Sequence, residues 1–291
     1  MPRRVHVGLA RICIAVCATL AAIVALAEPS RTLDRIKSDS TIHLGFRSGA
    51  APFSFRDRGG AVRGYSVELC TRIATSIEKQ LGLSKLKVEW TPLDASNRLD
   101  AVASGKVDIE CGTTTIALSR MERVDFSVPI FVDGGSVLTR ADSKLGRLAD
   151  FNGKRLAVIP DTTTESALKR ELAVLNAKAE LVPVKDGSAG LALVTSGKVD
   201  GYASDRIVLV SLRAGSAEPV KLALLESDFS YEPYALVVRR DDPDFRLAVN
   251  RALVAVYKSG DIDIIFDRWL GALGEPGTLL HSMFYLNTLP E

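Results

Sequence analysis

Residues 105–129, GKVDIECGTTTIALSRMERVDFSVP, concentrate the residue types that can hold an anion. The short apolar run 107–109 leads to three hydroxyls, Thr113, Thr114 and Thr115, and one cation, Arg120, follows. A planar guanidinium offers paired donors that match a carboxylate, and threonine hydroxyls with neighbouring amides can take the remaining lone pairs. The pattern predicts an anion clamp at a strand end, although a polar loop with a surface arginine has the same spacing. A second hydroxyl run, Thr162, Thr163 and Thr164, stands just before a predicted helix beginning near Glu165. Helix starts present unpaired N–H groups and partial positive charge, which suits a carboxylate; Thr162 or Thr163 can equally cap that helix.

The elements that must position these groups occur in duplicate. Ser-Gly-Lys-Val-Asp appears at 104–108 and again at 196–200. An apolar-periodic helix precedes each copy, at 97–103 and 189–195, and a strand opening onto small polar residues follows, at Thr113 to Thr115 and at Ser204-Asp205. Upstream, strands at 42–46 and 155–159 each lead through a polar loop to a helix, 65–81 and 165–176, and then to another strand, 86–90 and 180–184. Alternating strands and helices predict parallel sheets, in which ligands sit beyond the carboxyl ends of the strands. Two α/β lobes of the same wiring would then face one another across a cleft. The chain is expected to cross between lobes at 132–135, where Gly134-Gly135 interrupts an extended stretch, and to return at 231–235. That division makes 28–131 plus 236–291 the first lobe and 136–230 the second. Helices at 244–258 and 262–270 follow, and the tail 271–291 is expected to wrap the first lobe.

Residues 1–27 read as a cleavable export signal, with Arg3, Arg4 and Arg11, an apolar run over 12–26, and Ala25-Leu26-Ala27 as an A-x-A site. The run falls short of the ~20 apolar residues that span a bilayer. Without those three arginines, the 37 Lys+Arg nearly balance the 35 Asp+Glu, so the net +2 belongs to the signal. A near-neutral surface carries no electrostatic footprint for nucleic acid or an anionic membrane. Cys13 and Cys17 leave with the signal, and Cys70 and Cys111 remain; outside the cytoplasm they form one disulfide or stay as two buried thiols. With only His43 and His281 left and no Cys-x-x-Cys, a zinc or haem site has little to be built from, and no cofactor is expected.

Gly64-Tyr65-Ser66-Val67-Glu68-Leu69 opens the first long helix, and Val124-Asp125-Phe126-Ser127, Pro129 and Arg268-Trp269-Leu270 follow the clamp stretch. In this order and spacing the motifs resemble the family 3 periplasmic solute-binding proteins of ABC amino-acid importers, over almost all of the chain beyond the signal. Ser96-Asn97-Arg98 and Glu110-Cys111-Gly112 resemble the glutamate/aspartate-binding branch. The resemblance implies a two-lobed α/β fold of the type II periplasmic-binding-protein kind, its cleft lying between lobes joined by a two-strand hinge. It implies that Arg120 and Thr115 hold the ligand α-carboxylate with Thr113, that Thr163 beside Thr162 helps from the second lobe, and that Asp205 pairs with the α-ammonium.

Arg47 stands at a loop position where the family's basic-amino-acid binders carry aspartate. The reversed sign, with Arg98 and a Ser96 hydroxyl that can cap the helix or bond the ligand, favours a second carboxylate, as in glutamate or aspartate. Two departures bear on the substrate. Lys185-Asp186-Gly187 lacks the histidine that follows a Lys-Asp pair in the glutamate-binding branch, and Asp161 replaces a usual glycine. Glutamine or another polar amino acid is therefore the alternative ligand. The expected mechanism is a monomer that closes on its amino acid and docks on an inner-membrane permease, with a sensing partner as a further role. A reading of another class is a periplasmic cyclohexadienyl-type dehydratase, which needs a positioned acid or base; Glu165 and Asp161 are its candidates.

Overall fold

The computed structural model describes residues 31–290, so the expected export signal, with Cys13 and Cys17, lies outside the described residues. In the first large sheet, Thr41–Arg47 pairs in parallel with Lys87–Leu93 on one side and Ile109–Thr115 on the other. In the second, Arg155–Val158 pairs in parallel with Glu180–Pro183 and Gly201–Asp205. The duplicated sequence has become a duplicated strand order, with the first strand of each unit central.

A fourth strand runs antiparallel to the third in each sheet: Glu232–Arg239 beside Ile109–Thr115, and Gly135–Arg140 beside Gly201–Asp205. Gly135–Arg140 follows the first unit in sequence yet joins the second sheet, and Glu232–Arg239 returns to the first. The sheets are therefore mixed where alternation predicted parallel ones, because these strands enter without an intervening helix to reverse the chain. Phe131–Asp133 pairs antiparallel with the start of Glu232–Arg239, so the outgoing and returning segments run side by side.

The repeated Ser-Gly-Lys-Val-Asp does the same mechanical work twice. Gly105 and Gly197 adopt left-handed φ values of 74° and 69°, just past the C-caps of Arg98–Ala103 and Gly187–Thr195, where a side chain is disfavoured. Val107 and Val199 are then buried. Asp108 accepts the His43 N–H at 2.8 Å and Asp200 accepts the Arg155 N–H at 2.8 Å. The motif stops a helix and pins the start of the third strand to the first.

One face of the first sheet packs Leu44 and Leu236 against Ile73, Leu253, Phe266 and Phe284 from four helices, Tyr65–Gln80, Pro243–Ser259, Asp261–Trp269 and Thr278–Leu286. The opposite face holds Val102, Val107 and Val237. The second sheet likewise has a cluster on each side, one with Leu156, Val158 and Leu168, the other with Leu138, Val194, Tyr202 and Leu209. The tail helix Thr278–Leu286 buries Leu280, Met283 and Phe284 in the first-sheet cluster, each apolar side chain contributing about 1.5–3 kcal/mol when fully buried. Cys70 of Tyr65–Gln80 and Cys111 of Ile109–Thr115 form a disulfide with Cα atoms 6.2 Å apart. It ties helix to strand two residues before Thr113. Among the described residues, no helix is long and apolar enough to cross a membrane.

Two local expectations need correction. Thr113, Thr114 and Thr115 lie within Ile109–Thr115, wholly buried, and not in a loop after it; pairing with Ala235 and Tyr234 extends the strand through them. The helix expected near Glu165 begins at Thr163.

Candidate functional site

Between the two sheets lies a cavity of about 40 Å³, room for a few water molecules. Its walls include Arg47 at the end of Thr41–Arg47, Arg98 at the start of Arg98–Ala103, Thr113 and Thr115, Thr162 and Thr163, and Asp205 at the end of Gly201–Asp205. Residues scattered over the sequence thus converge because strand ends and helix starts from both sheets meet here.

Two predicted site residues stand apart. Ser96 is exposed, and its N–H and hydroxyl both donate to Asp94 Oδ1, at 2.9 and 2.7 Å. Its expected capping role does not hold, since the N-cap of Arg98–Ala103 is Asn97, and Ser96 bonds within a turn away from the cavity wall. Arg120 is buried but absent from the cavity wall, donating from Nη1 to the Thr115 carbonyl at 2.8 Å. Burial lowers its pKa, and among the opposing charges that of Glu232 acts most strongly.

Glu232, only 1% exposed, is the hub of the contact between the sheets. Thr115 and Thr163 both donate to its Oε2 at 2.7 Å, and Ser230 donates to Oε1 at 2.7 Å. The two threonine hydroxyls are themselves 3.1 Å apart. Each has a single proton. A ligand carboxylate therefore reaches those protons only in competition with the protein's own carboxylate.

Asp205 accepts from Thr164 at 2.9 Å and from the Tyr234 hydroxyl. The same hydroxyl lies 3.3 Å from Asp133, whose Oδ2 also accepts the Ile207 N–H at 3.1 Å. Burial, reinforced by the Glu232 charge, pushes Asp205 up to about 6. Burial with the Asp205 charge pushes Asp133 up to about 7.

On the same cavity wall Arg98 is 3% exposed, and its Nε has no partner. Its guanidinium forms no ion pair or hydrogen bond among the described residues. Burial, then the Arg47 charge, pulls its pKa down to about 9, against the Glu110 carboxylate. Glu110 is completely buried; Oε2 accepts from Thr114 at 2.8 Å and Oε1 has no partner. Glu110 and Arg47 converge on Gly112, where a Cβ would fall 2.1 Å from Glu110 Oε1 and 2.8 Å from Arg47 Cγ.

Thr162 acts as the N-cap of Thr163–Val174: its hydroxyl accepts the Glu165 N–H at 3.1 Å and donates to the Ile159 carbonyl at 2.8 Å. Asp161 sits at φ 59°, a left-handed conformation that glycine takes most readily and aspartate tolerates. Gly187 lines the cavity at the first position of Gly187–Thr195.

Sequence reasoning missed Glu110, Asp133, Tyr202, Glu232 and Tyr234 as parts of the site. Charged Glu110 within a small, apolar strand and Glu232 at the head of an apolar returning run were the available signs. A lone acid in a buried strand must find a partner, and here the partners are the site's hydroxyls.

The model of the bacterial extracellular solute-binding proteins, family 3, matches residues 42–272. The L-glutamate/L-aspartate-binding protein of Pseudomonas aeruginosa is 32% identical over 255 residues, 87% of this chain and 84% of that one. The glutamate/aspartate import solute-binding protein of Escherichia coli K12 is 29% identical over 238 residues, 82% of this chain and 79% of that one. Among solved structures, an ancestral amino acid-binding protein described as a precursor of cyclohexadienyl dehydratase superposes with a TM-score of 0.71 at 30% identity, covering 82% of this chain and 99% of that one.

Proposed function

We infer the function from one premise: this chain belongs to family 3 of the bacterial extracellular solute-binding proteins. It is the substrate-binding component of an ABC importer, acting as a monomer in the periplasm and delivering a dicarboxylic amino acid, glutamate or aspartate, to a membrane permease. The observation that carries the ligand assignment is Arg98, buried in the cavity wall without an anionic partner and flanked by Arg47. A buried cation is stabilised by a hydrogen-bonded opposite charge, and a ligand side-chain carboxylate supplies one. The glutamate/aspartate relatives support the same class.

Asp205 takes the α-ammonium, with Thr113, Thr115, Thr163 and Arg120 on the α-carboxylate side. Residues 132–135 and the segment 231–235 serve as the hinge between lobes 28–131 plus 236–291 and 136–230. The side-by-side pairing of Phe131–Asp133 with Glu232–Arg239 supports that placement. Contacts from both lobes make the closed form the ligand's preferred state, and only such differential affinity can shift the equilibrium.

Glutamine is the second reading, and Glu110 favours it: its charge beside Arg98 offsets part of the cationic field that a carboxylate needs. For the dehydratase reading, Glu165 and Asp161 are the candidates, yet neither lines the cavity, and Glu165 accepts from Lys169 and from the Asp161 N–H. The Lys169 bond holds its pKa below the usual glutamate range, which favours binding over acid catalysis. Calorimetric titration with glutamate, aspartate and glutamine tests the assignment. Tight binding of a dicarboxylate with weaker glutamine supports it, whereas selective binding of lysine, arginine or histidine sinks it.

A further inference from the structure

Three tyrosines, Tyr65, Tyr202 and Tyr234, are completely buried. Tyr65 donates to the Ile130 carbonyl at 2.8 Å, and Tyr234 donates to Asp205. The Tyr202 hydroxyl, alone of the three, makes no hydrogen bond of good geometry, although the Ser204 hydroxyl is near enough to act on it. Buried polar groups in folded proteins are nearly always hydrogen-bonded, so an exception calls for a cause.

The surroundings of Tyr202 supply one. Its ring packs in the cluster with Leu138, Val194 and Leu209, and Gly190 makes room for it, since a Cβ there would lie 2.4 Å from Tyr202 Cδ2. The residue lines the cavity beside Gly187. A Cβ at Gly187 would lie 3.7 Å from the Tyr202 oxygen, an ordinary contact distance, so this glycine brings no side chain against the buried hydroxyl. Tyr202 also stands in the same register of the repeat as Glu110, each two residues after the aspartate of Ser-Gly-Lys-Val-Asp. Both therefore end in an unpartnered buried oxygen near the cleft.

We propose that Tyr202 is a specificity-determining residue whose hydroxyl donates a hydrogen bond to an oxygen at the end of the ligand side chain. This deepens, and rests on, the amino-acid-binding reading of the same cavity. Burial pushes the hydroxyl up to about 12, with the Ser204 hydroxyl acting the other way, so the phenol keeps its proton and serves as a donor. A donor there selects a side-chain carboxylate or amide oxygen over a ligand that ends in a methyl group.

The test is calorimetry on the full chain with glutamate, glutamine and, by displacement, alanine. Tyr202→Phe keeps the ring and removes only the hydroxyl. It is expected to weaken the preferred long ligand about tenfold, as loss of one buried hydrogen bond does, and to leave alanine unchanged. Its melting temperature without ligand is expected to rise, because an unpartnered buried hydroxyl has gone. Gly187→Ala, which screens the hydroxyl with a methyl group, is expected to weaken the long ligand in the same direction. Unchanged affinity for both long ligands, or an equal loss for all three, overturns the Tyr202 assignment. A wild-type chain that binds neither these three nor aspartate overturns the dicarboxylate and glutamine readings of the cavity.

Discussion

At the scale of single residues, the site is a balance of buried charges, and the balance makes predictions. Arg98 is a buried guanidinium without a partner, so Arg98→Ala should cost about 2–5 kcal/mol of dicarboxylate binding. Its stability without ligand should change little, because relief of the buried guanidinium is offset by loss of the opposing charge beside Glu110. Titration calorimetry and thermal unfolding on one sample check both halves. Tyr234 has one proton to offer two carboxylates, Asp205 and Asp133. Of the groups around the pair, Glu232 and Asp228 repel further negative charge, Arg98 opposes them, and Ile207 N–H and Thr164 hydroxyl donate. Both acids are raised, to about 7 for Asp133 and about 6 for Asp205, so the pair favours folding at low pH. That contribution is fully present below the unfolded carboxyl range and is lost as pH climbs through 6 and 7. A ligand ammonium at Asp205 offsets the loss by releasing the proton. Affinity should therefore rise between pH 5.5 and 8, with proton release visible as a buffer-dependent calorimetric enthalpy near pH 6.5. A flat affinity and no proton release would contradict the ammonium site.

At the scale of elements, the work falls to the repeat and the disulfide. Asp108, side chain nearly fully buried and paired with Arg35 at 2.6 Å, carries more than its equivalent Asp200. Asp108→Ala is expected to cost about 1–3 kcal/mol of stability by leaving the part-buried His43 N–H unsatisfied and removing the Arg35 ion pair. Asp200→Ala, at a more exposed end, should cost less, and urea denaturation of the two variants gives the comparison. Cys70 and Cys111 close a loop spanning 41 residues of sequence. Replacing both by serine should lower stability by about 2–4 kcal/mol through the freer unfolded chain, with an unchanged denaturant midpoint as the contrary result. The repeat was legible in the sequence as a pair of identical words. Their function was less so: the glycines stop helices and the aspartates clip strands, while the ligand-facing groups come several residues later. Threonines that read as a loop proved to be strand, because a partner strand far along the chain at Glu232–Arg239 extended the ladder.

At the scale of the whole molecule, Glu232 decides how the halves meet, since it accepts from Thr115 of the first sheet and from Thr163 at the start of the helix Thr163–Val174 in the second unit. Glu232→Ala should loosen that contact and move the ligand-free protein toward an open form, seen as a larger radius of gyration by small-angle scattering that shrinks again on adding ligand. No change in the ligand-free radius would show that the latch is not what holds the halves together. The sequence by itself determined two similar α/β units, a shared cleft, the disulfide candidates and much of the polar cavity wall: Arg47, Arg98, Thr113, Thr115, Thr162, Thr163 and Asp205 all reach it. The units were legible because periodicity, helix-stop glycines and repeated words are local properties of the chain, and the wall residues chiefly through the family resemblance of the motifs. Only the tertiary structure decided that Ser96 turns away onto Asp94, that Arg120 leans on the Thr115 carbonyl, and that Glu232 holds the threonine hydroxyls. It alone left Tyr202 and Arg98 without partners in the cavity wall. The physical reason is that the satisfaction of a polar atom depends on its packed surroundings. Glu232 meets hydroxyls 117 and 69 residues away, and Ser96 and Arg120, bonded two and five residues away, take those partners in the geometry their elements impose, which no local pattern encodes.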